Sequence, residues 1–188
     1  FHLGWAQVLA ALTGKQQVVF GTVLMGRMQG AEAIDRALGI FINTLPLRVN
    51  IDGQDVRAAV NATHARLTTL MRHEHAPLAL AQRCSGVSAP APLFSSLLNY
   101  RHSAPASGNL ITAWQGISSL NSEERTNYPL TMSVDDLGQG FVLTLLACRE
   151  VDPQRVCDYL RCALENLVHA LEQAPQQALE QVSVLPPA

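Results

Sequence analysis

A chain of 188 residues that is 48% hydrophobic and only 15% charged is long enough to bury a core, which excludes a solvated tail or a linker. Lys and Arg number 13 against 15 Asp and Glu, a net charge of −2 with no run of one sign, so no nucleic-acid partner is expected. The longest apolar stretches, such as Phe141 to Cys148, fall far short of the roughly 20 residues that cross a bilayer, so no membrane partner is expected either.

The chain starts at Phe1 rather than Met, and the apolar pattern to Leu12 reads as the middle of a helix instead of a signal peptide, which suggests a piece of a larger protein. That helix, from about Leu3 to Leu12, ends at Thr13-Gly14, where a glycine accepts the left-handed conformation that closes a helix. Gln17 to Met25 is β-branched and apolar, a strand covered on both faces. Met28 to Ala37 is polar, with room for a short helix, and Gly39 to Ile51 reads as a second strand. Pro46 lacks an amide donor and therefore places an edge or a bulge there.

Val56, Val60, Thr63, Leu67 and Leu70 recur at steps of three and four, so a long helix turns one stripe inward and leaves Arg57, Arg66 and Gln54 outside it. Pro77 interrupts the pattern, a shorter helix follows over Leu78 to Arg83, and Cys84 to Pro92 is a loop by composition. Further strands are expected at Leu93 to Tyr100, Leu110 to Gln115 and Leu130 to Val134, with a long polar loop from Ser118 to Asn127 before the last. Loops of that length are uncommon without a function. Asp135 to Gly140 supplies a hairpin turn whose second arm is Phe141 to Cys148. Asp152 followed by Pro153 opens a final helix, with Val156, Leu160, Leu164, Leu167 and Leu171 inward. The fold class is therefore α/β, a mixed sheet of about five strands with packed helices.

The chemistry legible from the residues alone is sparse. The chain has no GxSxG elbow, no P-loop, no GxGxxG and no HExxH. His73 and His75 flank Glu74 without further ligands at a useful spacing, so the triplet reads as a polar helix end and no metal is expected. Asp135 and Asp136 stand beside Gly138 and Gly140, where aspartates serve the backbone of a turn. His64 reads as a surface or structural group on the long helix, and no base is placed to activate Cys84. Cys84, Cys148, Cys157 and Cys162 have no CxxC spacing, which fits reduced thiols and a cytoplasmic location.

An ordered set of segments carries a family resemblance. Val19-Phe-Gly-Thr-Val-Leu-Met-Gly-Arg27 resembles the strand and Gly-Arg turn early in the second lobe of the condensation domains of non-ribosomal peptide synthetases. Leu38-Gly-Ile-Phe-Ile-Asn-Thr-Leu-Pro-Leu-Arg48 is similar to that family's Gly-x-Phe-x-Asn-Thr-x-x-x-Arg motif, the most specific signal of the set. His73-Glu-His-Ala-Pro-Leu78 occupies the place of the His/Asn-Gln-Asp motif and departs from it, while Pro92-Leu-Phe-Ser-Ser-Leu-Leu-Asn-Tyr-Arg101 resembles the late Pro-Leu-Phe...Asn motif. The likeness continues through Glu124 to Val134 and reaches Val184-Leu-Pro-Pro187, which looks like the start of a linker to an adenylation domain.

The resemblance implies a chloramphenicol-acetyltransferase-like lobe at 1–181 and the start of the linker at 182–188. It implies an amide-forming acyl transferase in which a tunnel between two lobes admits phosphopantetheine arms from a donor and an acceptor carrier protein. The partners implied are the preceding lobe, both carrier proteins and the adenylation domain, and no cofactor is bound by this lobe itself. The histidine motif of the first lobe, His-His-x-x-x-Asp-Gly, is not among these 188 residues, so the chain alone should be inactive, with no catalytic residue of its own. As supporting residues, Arg27 would pair with the aspartate of that motif and Asn99 would line the tunnel. The long loop after Gly116, ending near Tyr128 and Pro129, would cross to the other lobe and floor the tunnel, placing these two residues at the substrate. Asn43, Thr44 and Arg48 fit a structural role. Epimerization domains share the fold but place Leu-Gly after Asn-Tyr, where this chain has Arg101-His102. A dual epimerization and condensation type, or a non-catalytic lobe that docks carrier proteins, are the remaining readings.

Overall fold

The computed structural model describes residues 1–26, 38–88, 90–102 and 123–186. Helix α1 (His2–Thr13) closes at Gly14, whose φ of 66° is left-handed and whose amide donates to the Ala10 carbonyl. Strand β1 (Gln17–Leu24) follows, and β2 (Asn43–Asn50) pairs with it antiparallel from Gln17↔Asn50 to Leu24↔Asn43. β2 lies at an edge of the sheet, which is where a strand tolerates Pro46. It starts four residues later than the alternation suggests, and Leu38, Ile40 and Ile42 before it are exposed.

Helix α2 (Val56–Met71) is capped by Asp55, whose Oδ1 accepts the Ala58 amide at 2.7 Å. Val56, Ala59 and Thr63 are its buried face. After α3 (Leu78–Cys84), strand β3 (Ser96–His102) runs parallel to β1 on one side and to β4 (Leu130–Asp136) on the other. β5 (Phe141–Ala147) returns antiparallel to β4 through a turn with Gly138 at φ 79°. Helix α4 (Pro153–Gln173) opens on Asp152, whose carboxylate accepts the Gln154 amide at 3.0 Å. The sequence places β3 three residues too early. Phe94 leaves the ladder to lie across Gly21, where an added Cβ would come within 2.5 Å of the Phe94 ring, and the strand runs on because Arg101 and His102 pair with Asp135 and Asp136. The strand expected at Leu110 to Gln115 and the short helix within Met28 to Ala37 lie outside the described residues.

One face of the sheet is closed by helices. Val18 and Phe20 of β1, Leu98 of β3, Met132 and Val134 of β4 and Leu145 of β5 join Trp5 and Val8 of α1 and Leu160, Ala163 and Leu167 of α4 in one core. Trp5 is fully buried and its Nε1 donates to Ser96 Oγ at 3.1 Å, tying α1 to β3. The tail returns to this core: Leu179 and Val182 are buried, Gln7 donates to the Leu179 carbonyl at 3.4 Å, and Asn166 donates to the Ser183 carbonyl at 2.8 Å. Residues 182–186, which by sequence look like the beginning of a linker, thus lie in part against the core.

His2 reaches the same face, with Nε2 2.8 Å from Thr22 Oγ1. Burial pushes its pKa down to about 4. The imidazole is therefore neutral near pH 7, and from about pH 6.5 down to 4 the unfolded chain binds a proton that the folded chain refuses. Stability rises with pH through that window and falls on acidification, by about 3 kcal/mol in all. Urea midpoints of the chain measured from pH 7 to 4 should fall accordingly, and His2→Gln should flatten the decline; parallel pH profiles for both proteins would refute it.

Candidate functional site

The second face of the sheet carries the polar residues. Side chains alternate along a strand, so with Leu98 and Met132 in the core, Asn99 and Arg101 of β3 and Thr131, Ser133 and Asp135 of β4 point to the opposite side. The parallel register sets Asn99 level with Ser133 and Arg101 level with Asp135. Asn99 is half-buried and Ser133 buried, so this strip is partly covered.

What covers it includes the segment 123–129, which leads into β4. Glu124 Oε1 lies 3.8 Å from Arg101 Nη1, Thr126 Oγ1 lies 3.1 Å from Thr131 Oγ1, and the Tyr128 ring stacks on Phe94 with centroids 5.6 Å apart. These contacts run from the far end of β3 back to its start. The segment also walls a cavity of about 500 Å³, lined by residues 124–129 with Leu146, Ala147 and Cys148. Tyr128 and Pro129 line this cavity and Asn99 does not. Pro129 precedes Leu130, the partner of Ser96, so Asn99 stands about 10 to 13 Å further along the sheet. The structure brings Tyr128 and Pro129 together and sets Asn99 apart from them on the same face. Arg27 and the first part of the long loop, including Gly116, lie outside the described residues.

The far end of β3 and β4 concentrates charge. Arg101 donates from Nε to Asp135 Oδ1 at 2.7 Å and from Nη2 to Asp135 Oδ2 at 2.9 Å, and the hydrogen bonds to Asp135 hold its pKa above the ordinary arginine value. Asp136 accepts the Tyr100 hydroxyl at 2.6 Å and the Gly138 amide at 2.9 Å, with His102 Nδ1 3.0 Å away. The Tyr100 bond, followed by the Gly138 and His102 contacts, brings the Asp136 pKa down to about 2. The sequence assigned both aspartates to the backbone of a turn. Asp136 does hold the turn, but each also partners a β3 side chain, which no local signal reveals because the partners are 34 to 36 residues away.

The most specific sequence motif has a structural use. Asn43 Nδ2 donates to the carbonyls of Glu74 and Ala76, both at 2.8 Å, and its Oδ1 accepts the Thr44 amide. Arg48 contributes its carbonyl to Arg66 Nη1 at 3.2 Å. Asn43 so fastens the turn after α2 to the start of β2. That turn is no solvated helix end: Glu74 is 1% exposed, with His75 Nε2 3.7 Å from its Oε1. Among the described residues no group of three or more His, Cys, Asp and Glu is arranged to hold a metal, and no helix is long and apolar enough to cross a membrane. A groove of about 960 Å³ between α4 and β5 beside Phe1 opens on the helix-covered side of the sheet.

The family model for the condensation domain matches residues 1–188. Malpinin synthetase of Mortierella alpina is 51% identical over 185 residues, 98% of this chain and 2% of that protein. Malpibaldin synthetase of the same organism is 47% identical over 185 residues, covering 98% and 3%. Among solved structures, the condensation domain of the Monacolin K polyketide synthase MokA superposes with a TM-score of 0.65 at 22% identity, over 95% of this chain and 42% of that one. The chloramphenicol-acetyltransferase-like lobe expected from the sequence is thereby borne out, and the chain spans only a few hundredths of the length of the synthetases it matches.

Proposed function

Since the chain belongs to the condensation-domain family, we propose that it is the second lobe of an amide-forming acyl transferase within a non-ribosomal peptide synthetase. The observation that carries the proposal is the family match over all 188 residues. The open face of β3 and β4, with its polar strip and the segment laid over it, supports a surface facing a second lobe. Leu38, Ile40, Ile42 and Met25 add exposed large apolar side chains near the end of β1 and the start of β2, the kind of surface another lobe covers.

In the reaction the amine of the acceptor, held on one carrier protein's phosphopantetheine thiol, attacks the thioester carbonyl of the donor held on the other. The C–N bond forms, the tetrahedral intermediate collapses, the C–S bond breaks, and the proton lost by the amine ends on the departing thiol. The histidine that positions the amine or takes its proton belongs to the preceding lobe. On this chain Asn99 would line the tunnel near the reacting centre, Tyr128 and Pro129 would floor it, and Arg27 would hold the aspartate of the histidine motif as a paired charge. Carrier proteins deliver both substrates, and an adenylation domain would follow.

Single-turnover condensation with both carriers loaded tests the reading. The chain supplied with its preceding lobe should form product, and the chain alone none. Arg27→Ala and Asn99→Ala in the two-lobe protein should each slow the step at least about tenfold, as the loss of one positioned polar group does, without loss of carrier binding. Product from the 188 residues alone would misplace the catalytic group; none from the two lobes together would favour a docking scaffold.

A further inference from the structure

We propose that Arg101 is a positioning residue of this site, fixing the segment 123–129 on the open face of the sheet so that Tyr128 and Pro129 keep their place relative to Asn99. The inference rests on the function proposed above and adds a residue which that function does not itself require.

Arg101 stands two positions beyond Asn99 on the same face of β3, level with Asp135. Its Nε and Nη2 are both taken by that carboxylate, at 2.7 and 2.9 Å. A planar fork held by two parallel bonds has little freedom left, so the remaining Nη1 points in a set direction. Glu124 lies 3.8 Å away in that direction. The segment then meets the sheet at Thr126 with Thr131 and at Tyr128 with Phe94. Of these three attachments only the first is ionic, and only it lies at the far end of the strand, beyond Asn99. Arg101 is 39% exposed and Glu124 63%, and exposed pairs contribute little to stability. What the fork supplies is direction, so its loss should register in the chemical step more than in unfolding. Lysine carries the charge without the fork and should not replace it.

The test uses the two-lobe domain with both carriers loaded. Arg101→Ala and Arg101→Lys are expected to lower the single-turnover rate about tenfold, the scale of a reacting group displaced by a fraction of an ångström. The acceptor-carrier concentration for half-maximal rate should stay within about twofold and the urea midpoint should hardly move. Glu124→Gln should act in the same direction in the parent and add nothing in the Arg101→Ala background, the non-additivity of residues acting through one contact. Hydrogen exchange of the amides of 123–129 should quicken in Arg101→Ala while the amides of β1 and α4 stay unchanged. A rate unaffected by Arg101→Ala, an additive double variant, or a rate loss matched by a general loss of stability would each overturn the proposal. If the unsubstituted two-lobe domain forms no product, the proposed function fails by itself. Hydrogen exchange then still decides the role of Arg101: quickened exchange in 123–129 supports it, and unchanged exchange removes it.

Discussion

Gly26→Ala is expected to destabilise the fold by about 2–5 kcal/mol and to cost a two-lobe domain most of its condensation rate. Gly26 sits at φ 66°, where an L side chain costs roughly 1–2 kcal/mol. The greater obstacle is space. A Cβ there would lie 2.0 Å from the carbonyl oxygen of Phe41 and 2.9 Å from its carbonyl carbon. Those atoms are backbone and cannot turn aside as a side chain does, so the turn or the stretch before β2 has to shift, at a further cost of about 1–3 kcal/mol. Arg27 follows directly in the chain, and any such shift moves its starting point. Gly26→Asn separates the two causes. Asparagine tolerates positive φ but brings the same Cβ, so it should be nearly as damaging as alanine in urea unfolding and single-turnover assays. Recovery with asparagine would show that φ, not the Phe41 carbonyl, imposes glycine. An alanine variant within about 0.5 kcal/mol of the parent would remove both causes.

Trp5→Ala should cost about 3–5 kcal/mol, the range for deleting a large aromatic from a closed core. Trp5 has no exposure, stands where α1 meets the sheet, and spends its only side-chain donor on Ser96. Against a total stability of about 5–15 kcal/mol, that loss brings the chain close to unfolding. Trp5→Phe keeps most of the apolar volume and forgoes the hydrogen bond, so it should cost about 1–2 kcal/mol. Circular dichroism in urea reads both variants without depending on the tryptophan signal. Equal losses would assign the residue's worth to its hydrogen bond. A loss below about 1 kcal/mol for Trp5→Ala would mean that the core collapses into the space.

The candidate site was legible to different depths. Asn99, Tyr128 and Pro129 came from the order of family-like motifs, and the structure places all three on or beside the β3 and β4 pair. Their separation could not be read from the motifs, because it depends on the register Ser96↔Leu130 to His102↔Asp136 between strands far apart in the chain. By sequence Glu74 belongs to a polar helix end and Asp136 to a turn, and what the fold adds to each is hidden for the same reason. What distinguishes them is contributed by Asn43 and the strand it opens in one case, and by Tyr100 and His102 in the other.

By itself the sequence determined those features whose causes lie within a few residues. Gly14 ends α1, Asp152 caps α4, and the Asp135 to Gly140 turn closes a hairpin. Each is set by a φ angle or a hydrogen bond that closes over at most four positions. Pro46 likewise announced an edge or a bulge because a missing amide is a property of the residue alone. Only the tertiary structure decided the order β2-β1-β3-β4-β5, the extension of β3 to His102, and the laying of Glu124, Thr126 and Tyr128 along the open face. Those depend on partners brought together by burying the opposite face against α1 and α4, and alternation of apolar residues specifies that a face is buried without saying against what.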